Sequence, residues 1–139
     1  MADKVQLEIV TPTKLLVTEE ADMVVVPGGD GDFGVLPGHA PLLSSVRPGV
    51  IDIHENGAVK TRYFIAGGFA EVDPEKCVIL ADEAMTLADI DQAAAQSRLE
   101  AAQQALESAG DDDTARNNAV AEIARAEAML AAATDTAAA

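Results

Sequence analysis

The chain has 139 residues, 49% of them apolar, and carries 24 acidic against 9 basic side chains, for a formal net charge of −15 at pH 7. That length and apolar share suffice for the packed core of one ordinary domain or two small ones. The charge excludes nucleic-acid phosphates and anionic membrane surfaces as direct partners, through long-range repulsion, and favours basic protein loops instead.

The opening MADKVQLEIV has no basic region ahead of an apolar core, and no apolar run approaches about 18 residues. Neither a signal peptide nor a membrane span is expected, and the chain reads as soluble and cytoplasmic, without direct membrane insertion. Short apolar runs then recur between turn signals: VQLEIV at 5–10, KLLV at 14–17, DMVVV at 22–26, GVIDIH at 49–54, VKTRYFIA at 59–66, GFAEV at 68–72 and KCVIL at 76–80. This spacing predicts an antiparallel sandwich or barrel. Val5, Leu7 and Ile9 share one strand face and Gln6 and Glu8 the other, while Glu55-Asn56-Gly57 supplies an Asn-Gly hairpin signal. No stretch before residue 86 is long and helical enough to serve as the crossover of a parallel α/β fold.

Between these strands lies GDFGVLPGHAPLLSSVRPG, from Gly31 to Gly49. Pro37, Pro41 and Pro48 exclude regular helix, and Phe33, Val35, Leu36, Leu42 and Leu43 are expected to need burial, so the segment reads as a shaped surface element. Gly29, Gly31 and Gly34 form a literal GxGxxG after DMVVV, but prolines block the helix a dinucleotide loop requires, and Asp30 and Asp32 would repel a pyrophosphate. A turn is the better reading.

Other chemistry is weakly supported. Asp30 and Asp32 start no complete calcium series, because no Glu closes it at the twelfth position. His39 and His54 lack the cysteine or helical partners of a zinc site, and Ser44 and Ser45 sit in LLSSV as strand residues without a nucleophile elbow. Cys77, the one cysteine, reads as a small core residue of KCVIL. No catalytic residue, metal or cofactor is expected.

All six prolines and nine of the ten glycines lie at or before Pro74, whereas Ala88 to Ala139 holds 20 alanines, one glycine and no proline. The architecture therefore changes near residue 85, giving an all-β unit over 1–85 and a helical unit over 86–139. Thr86 and Asp89 form an approximate capping box for a first helix, with Ile90, Ala94, Ala101 and Ala105 on one side. Gly110 suits the left-handed position after it, and Asp111, Asp112 and Asp113 offer caps to a second helix whose apolar face is Val120, Ile123, Ala124, Ala126 and Leu130. The short link predicts an antiparallel hairpin. Its alanine seam buries little area, so its stability should depend on docking, and the final TDTAAA should fray.

Three stretches carry a family likeness. GDFGVLPGHAPLLSSVRPG at 31–49, YFIAGGFAEV at 63–72 and VILADEA at 78–84 resemble signatures of the epsilon subunit of the F-type ATP synthase, called delta in mitochondria. The resemblance implies a β-sandwich followed by a helix hairpin, and a non-catalytic subunit of the central rotor stalk. It implies a sandwich that binds the gamma subunit and rests on the polar loops of the membrane c-ring, coupling proton-driven rotation to ATP synthesis on the cytoplasmic side of the bacterial inner membrane. Gly31, Asp32 and His39 match the positions the family places at the c-ring and gamma interface, with Asp32 near basic c-ring loops.

Two regulatory traits of the family are altered. The nucleotide motif I/L-D-x-x-R-A is matched by Ile90 and Asp91, but Ala94 stands where its arginine belongs, removing the charge-assisted donor to a phosphate, so no nucleotide binding is expected. Elsewhere in the family, basic hairpin residues reach the alpha and beta subunits and block hydrolysis. From Ala88 onward this chain has ten acids against Arg98, Arg116 and Arg125, a net of −7, and weak inhibition is expected. Composition and spacing alone also fit a free-standing sandwich module with a helical interaction tail.

Overall fold

A computed structural model describes residues 4–134, as ten strands followed by two long helices. The strands are β1 (Val5–Thr11), β2 (Lys14–Ala21), β3 (Met23–Gly28), β4 (Gly31–Val35), β5 (Leu42–Val46), β6 (Gly49–Glu55), β7 (Ala58–Ile65), β8 (Gly68–Val72), β9 (Lys76–Ala81) and β10 (Ala84–Thr86). Hydrogen-bonded neighbours run β10-β7-β6-β3-β5-β8-β9-β1-β2, with β4 on β3. β3 and β5 meet only through Gly28 and Val46. The ladder turns a corner there, so β10-β7-β6-β3-β4 and β5-β8-β9-β1-β2 face each other as the two layers of a β-sandwich.

Alternation decides which side of each strand goes inward. Leu7, Ile9, Val24, Val26, Ile51, Ile53, Ile65 and Ile79 are fully buried in one core cluster that draws on both layers. Each such side chain contributes about 1.5–3 kcal/mol by leaving water. Asn56 and Gly57 both take positive φ, 55° and 80°, making the tight hairpin their sequence predicts between Glu55 and Ala58.

The structure departs from the sequence expectations in several places. The sandwich is not wholly antiparallel, since β1 runs parallel to β9 from Gln6 beside Lys76 to Val10 beside Leu80. The intervening strands, rather than a helix, carry the chain across. Of the five apolar residues expected to need burial in the Gly31–Gly49 segment only Val35 is buried; Leu36, Leu42 and Leu43 are exposed and Phe33 is half-buried, because β4 and β5 lie at layer edges. The Thr86 capping box does not form, as the Thr86 side chain makes no cap bond and only a single 3₁₀ turn, Leu87–Asp89, follows.

α1 (Gln92–Ser108) starts instead at Asp91, whose side chain accepts from the Ala94 N–H at 3.1 Å. α2 (Asp113–Thr134) is capped by Asp112 through the Ala115 N–H, also at 3.1 Å, after Gly110 at φ 56°. The predicted helix faces hold only in part: Ala126 is buried on α2 as expected, but Ala95 and Ala102 are buried on α1 while Ala94, Ala101 and Ala105 are exposed, and α2 also buries Ala119, Met129 and Ala132 while Val120 and Ala124 face solvent. In so alanine-rich a stretch every face is mildly apolar, and docking chooses among them. The hairpin packs on the outside of its own sandwich, where fully buried Phe64, flanked by Val50 and Met85 on the neighbouring strands, meets Leu87, Ala95, Met129 and Ala132. Thr134 ends α2, and the rest of the tail expected to fray lies outside the described residues.

A polar seam joins β2 to the other layer. The Tyr63 hydroxyl donates to Glu19 Oε2 at 2.9 Å, Lys60 pairs with Glu19 and Glu55 at 3.6 and 3.1 Å, and Lys4 pairs with Glu55 and Asp22 at 3.2 and 2.7 Å. Partial burial, and then the Glu19 carboxylate, push the Tyr63 phenol up to about 12.

Gly68, at φ 144°, turns the chain from β7 into β8, and a Cβ there would lie 2.0 Å from the Leu80 carbonyl oxygen. Gly68→Ala should lower stability by about 2–4 kcal/mol through strain and the displaced β8–β9 ladder, read as a lower urea midpoint. Tyr63 is the one tyrosine, so alkaline absorbance titration reads it directly. Its midpoint should be about 12 in the folded chain and about 10 in denaturant. Because folding favours the neutral phenol, its contribution to stability is full below about pH 10 and is lost as pH rises through about 12; Tyr63→Phe should lack that loss.

Candidate interaction surfaces

The segment singled out in the sequence divides between the two ends of the sandwich. Gly31 and Asp32 open β4 just after the two-residue turn Gly29-Asp30, where Gly28 pairs with Gly31. Asp32 is exposed but engaged: Arg47 Nη2 donates to its Oδ1 at 2.5 Å, and Arg47 Nη1 donates to the Gly28 carbonyl at 2.6 Å. Asp32 and Arg47 also border a cleft of about 550 Å³ whose far wall includes Ala128, Ala131 and Thr134 of α2.

His39 lies past the other end of β4, beyond the roughly 10 Å of strand that runs from Asp32 to Val35. There the Gly38 N–H donates to the Pro74 carbonyl at 2.8 Å, the His39 N–H donates to the Leu36 carbonyl at 3.1 Å, and His39 Nδ1 lies 2.6 Å from the Ala40 carbonyl, where it can only donate. The structure therefore brings Gly31 and Asp32 together with Arg47, and holds His39 beside the β8–β9 turn.

A further exposed apolar feature is not marked by any sequence motif. Phe69 pairs with Leu80, Leu80 with Val10 and Val10 with Leu15, forming one row across β8, β9, β1 and β2 on the side away from the core. Phe69, Leu80 and Leu15 are 55%, 48% and 57% exposed, and Leu43 adds a 70% exposed side chain on β5. The signal was present: these residues occupy the phase of their strands that Gln6, Glu8 and Glu71 otherwise fill.

At the hairpin, Asp91 is committed to capping α1, Ala94 is exposed, and Ile90 packs against the Phe64 cluster. Two of the three helix arginines turn inward. Arg98 donates to Glu83 Oε2 at 3.1 Å and through Nη2 to Glu122 Oε1 at 2.5 Å, and Arg125 Nε donates to the Ala66 carbonyl at 3.2 Å. Both cations thus tether the hairpin to the sandwich, while Arg116 is exposed near the interhelical turn. Cys77 is buried, and desolvation pushes its thiol up to about 12, leaving no reactive thiolate near neutral pH. Among the described residues no three His, Cys, Asp or Glu side chains converge as metal ligands.

Residues 4–87 match the family described as ATP synthase, Delta/Epsilon chain, beta-sandwich domain. The ATP synthase epsilon chain of Rhodospirillum rubrum is 51% identical over 132 residues, covering 95% of this chain and 98% of that one. That of Paramagnetospirillum magneticum is 52% identical over 112 residues, 81% of this chain and 84% of its own.

The chain belongs to the ATP synthase delta/epsilon family.

Among solved structures, a chain of the Euglena gracilis mitochondrial ATP synthase, in an assembly described as OSCP/F1/c-ring, superposes with a TM-score of 0.78 at 26% identity, over 95% of this chain and 82% of that one. A chain of the Tetrahymena thermophila mitochondrial ATP synthase central stalk and c-ring shares the fold, with a TM-score of 0.64 at 14% identity over 94% of this chain and 96% of that one. A delta/epsilon chain is an accessory, non-catalytic subunit of the synthase. The sandwich-then-hairpin order matches what the sequence predicts for such a chain, and no described helix is long and apolar enough to cross a membrane.

Proposed function

We propose that this chain is the rotor subunit joining the gamma subunit to the polar loops of the c-ring, peripheral on the cytoplasmic side of a bacterial inner membrane. It divides near residue 86 into a sandwich that binds both partners and a hairpin that packs on the sandwich. The observation that carries this reading is the apolar row of Phe69, Leu80, Val10 and Leu15, exposed at every position but the half-buried Val10. An apolar row of this kind on a sheet whose other face is core needs a protein cover, and in a delta/epsilon chain the gamma subunit fits that role.

The turn at Gly31 and Asp32 is the c-ring contact, with His39 meeting a partner at the opposite end of β4. Strong overall negative charge supports attraction to basic loops and repulsion from the anionic lipid around them. A carboxylate at a wet rim contributes register more than affinity, about 1 kcal/mol or less. The hairpin is a weak inhibitor of the alpha and beta subunits, since Arg98 and Arg125 are occupied by the chain's own oxygens and the helices are acidic. No nucleotide binds at Ile90 and Asp91, because Asp91 caps α1 and Ala94 offers no cationic side chain.

Phe69→Thr retains strand propensity while removing the exposed ring. It should weaken binding of the full chain to epsilon-depleted F1 about tenfold or more, whereas unchanged affinity would remove the apolar row from the gamma contact. Asp32→Arg should lower ATP-driven proton pumping in reconstituted vesicles at unchanged ATP hydrolysis, and normal pumping would count against a ring-facing turn. Deleting 88–139 should leave hydrolysis by the assembled enzyme within about twofold of normal, and a several-fold rise would establish an inhibitory hairpin.

A further inference from the structure

Beyond the Gly28–Gly31 pair that closes the β3–β4 ladder, the turn proposed to face the c-ring has little of its own to hold it. Gly28, Gly29 and Gly31 supply three of the four residues from 28 to 31, and Gly31 sits at φ 136°, so the local chain is permissive and entropically loose. Further contacts come from a different part of the sequence. The Gly29 N–H donates to the Ser45 carbonyl at 2.9 Å, and the Arg47 N–H donates to the Pro27 carbonyl at 2.9 Å. Arg47 then closes over the turn with both ends of its guanidinium, Nη1 to the Gly28 carbonyl at 2.6 Å and Nη2 to Asp32 Oδ1 at 2.5 Å.

We propose that Arg47 is the positioning residue of this turn: its guanidinium fork sets the geometry at which Gly31 and Asp32 meet their partner. The inference rests on the reading above that the turn faces the c-ring. A planar fork suits the task because it spans a carbonyl and a carboxylate in one fixed plane, which a lysine's single ammonium does less well. Pro48 restricts Arg47 to extended backbone, keeping the side chain beside the turn. The two partners are 45% and 61% exposed, so the pair adds little to global stability. Its effect is local order. Asp32 is already paired with Arg47 before any partner arrives, and the exposed Asp30 stands beside it at the tip.

Arg47→Gln in the full chain should speed amide hydrogen exchange at Gly29 tenfold or more while leaving the core amide of Ile79 unchanged. In the reassembled synthase the same variant should lower protons pumped per ATP hydrolysed at least threefold, with Arg47→Lys falling between it and the wild type. Unaltered exchange at Gly29 would overturn the clamp. Faster exchange with normal pumping, while Asp32→Arg still lowers pumping, would show a ring-facing turn that does not need Arg47 and would overturn the positioning role. Normal pumping in both variants would overturn the ring-facing reading itself and the positioning role with it.

Discussion

The inward packing of alternate strand residues is the constraint on which everything else in this chain depends. Once Leu7, Ile9, Ile51, Ile53, Ile65 and Ile79 fill the space between the layers, the opposite phase of every strand must face outward. What stands in that outward phase then decides what each layer does. On β6, β7 and β10 it places Val50, Phe64 and Met85 side by side, and the chain's own helices cover them. On β8, β9, β1 and β2 it places Phe69, Leu80, Val10 and Leu15 in a row that the described chain leaves open. A one-residue slip of register would exchange core for surface on both layers, so the two outer faces are as strictly defined as the core.

The hairpin shows the opposite economy of specification. Its helices meet through alanines, which allow close approach but bury little area, and the larger apolar contacts come from Phe64, Met129 and Leu87. Polar tethers supply orientation: Arg98 bridges Glu83 of the β9–β10 turn and Glu122 of α2, and Arg125 reaches the Ala66 carbonyl. The helices therefore depend on the sandwich for their arrangement, while the sandwich has a separate core cluster of its own.

Electrostatics in this acidic chain are organised rather than diffuse. Lys4, Lys60 and Tyr63 bind the carboxylates along the β2 seam, Arg62 holds Asp52 at 2.8 Å across β6 and β7, and Arg47 holds Asp32. With nine basic residues against 24 acids, carboxylates outnumber their possible cationic partners. Each cation then has a disproportionate effect on which carboxylates are available to partners, which makes Arg47 informative at the proposed docking turn.

Much of this was legible in the residues themselves. Period-two alternation, turn residues and the Asn56-Gly57 signal mark the strands and their core side, the break near residue 85 marks the change to helix, and Gly31 to Gly49 carries the family likeness. These are local signals, readable because each depends on neighbours a few positions away. The sequence could not say that Asp32 is paired with Arg47, that His39 lies at the far end of β4, or that Phe69, Leu80, Val10 and Leu15 form one row, since those relations join strands distant in the chain. Nor could it choose the buried faces of α1 and α2, because alanine on every side gives no contrast until Phe64 supplies a place to dock. Which residues can be strand, turn, helix and core follows from local patterns along the chain; which outward-facing residues meet follows from the fold alone, because that depends on register and layer packing between segments far apart.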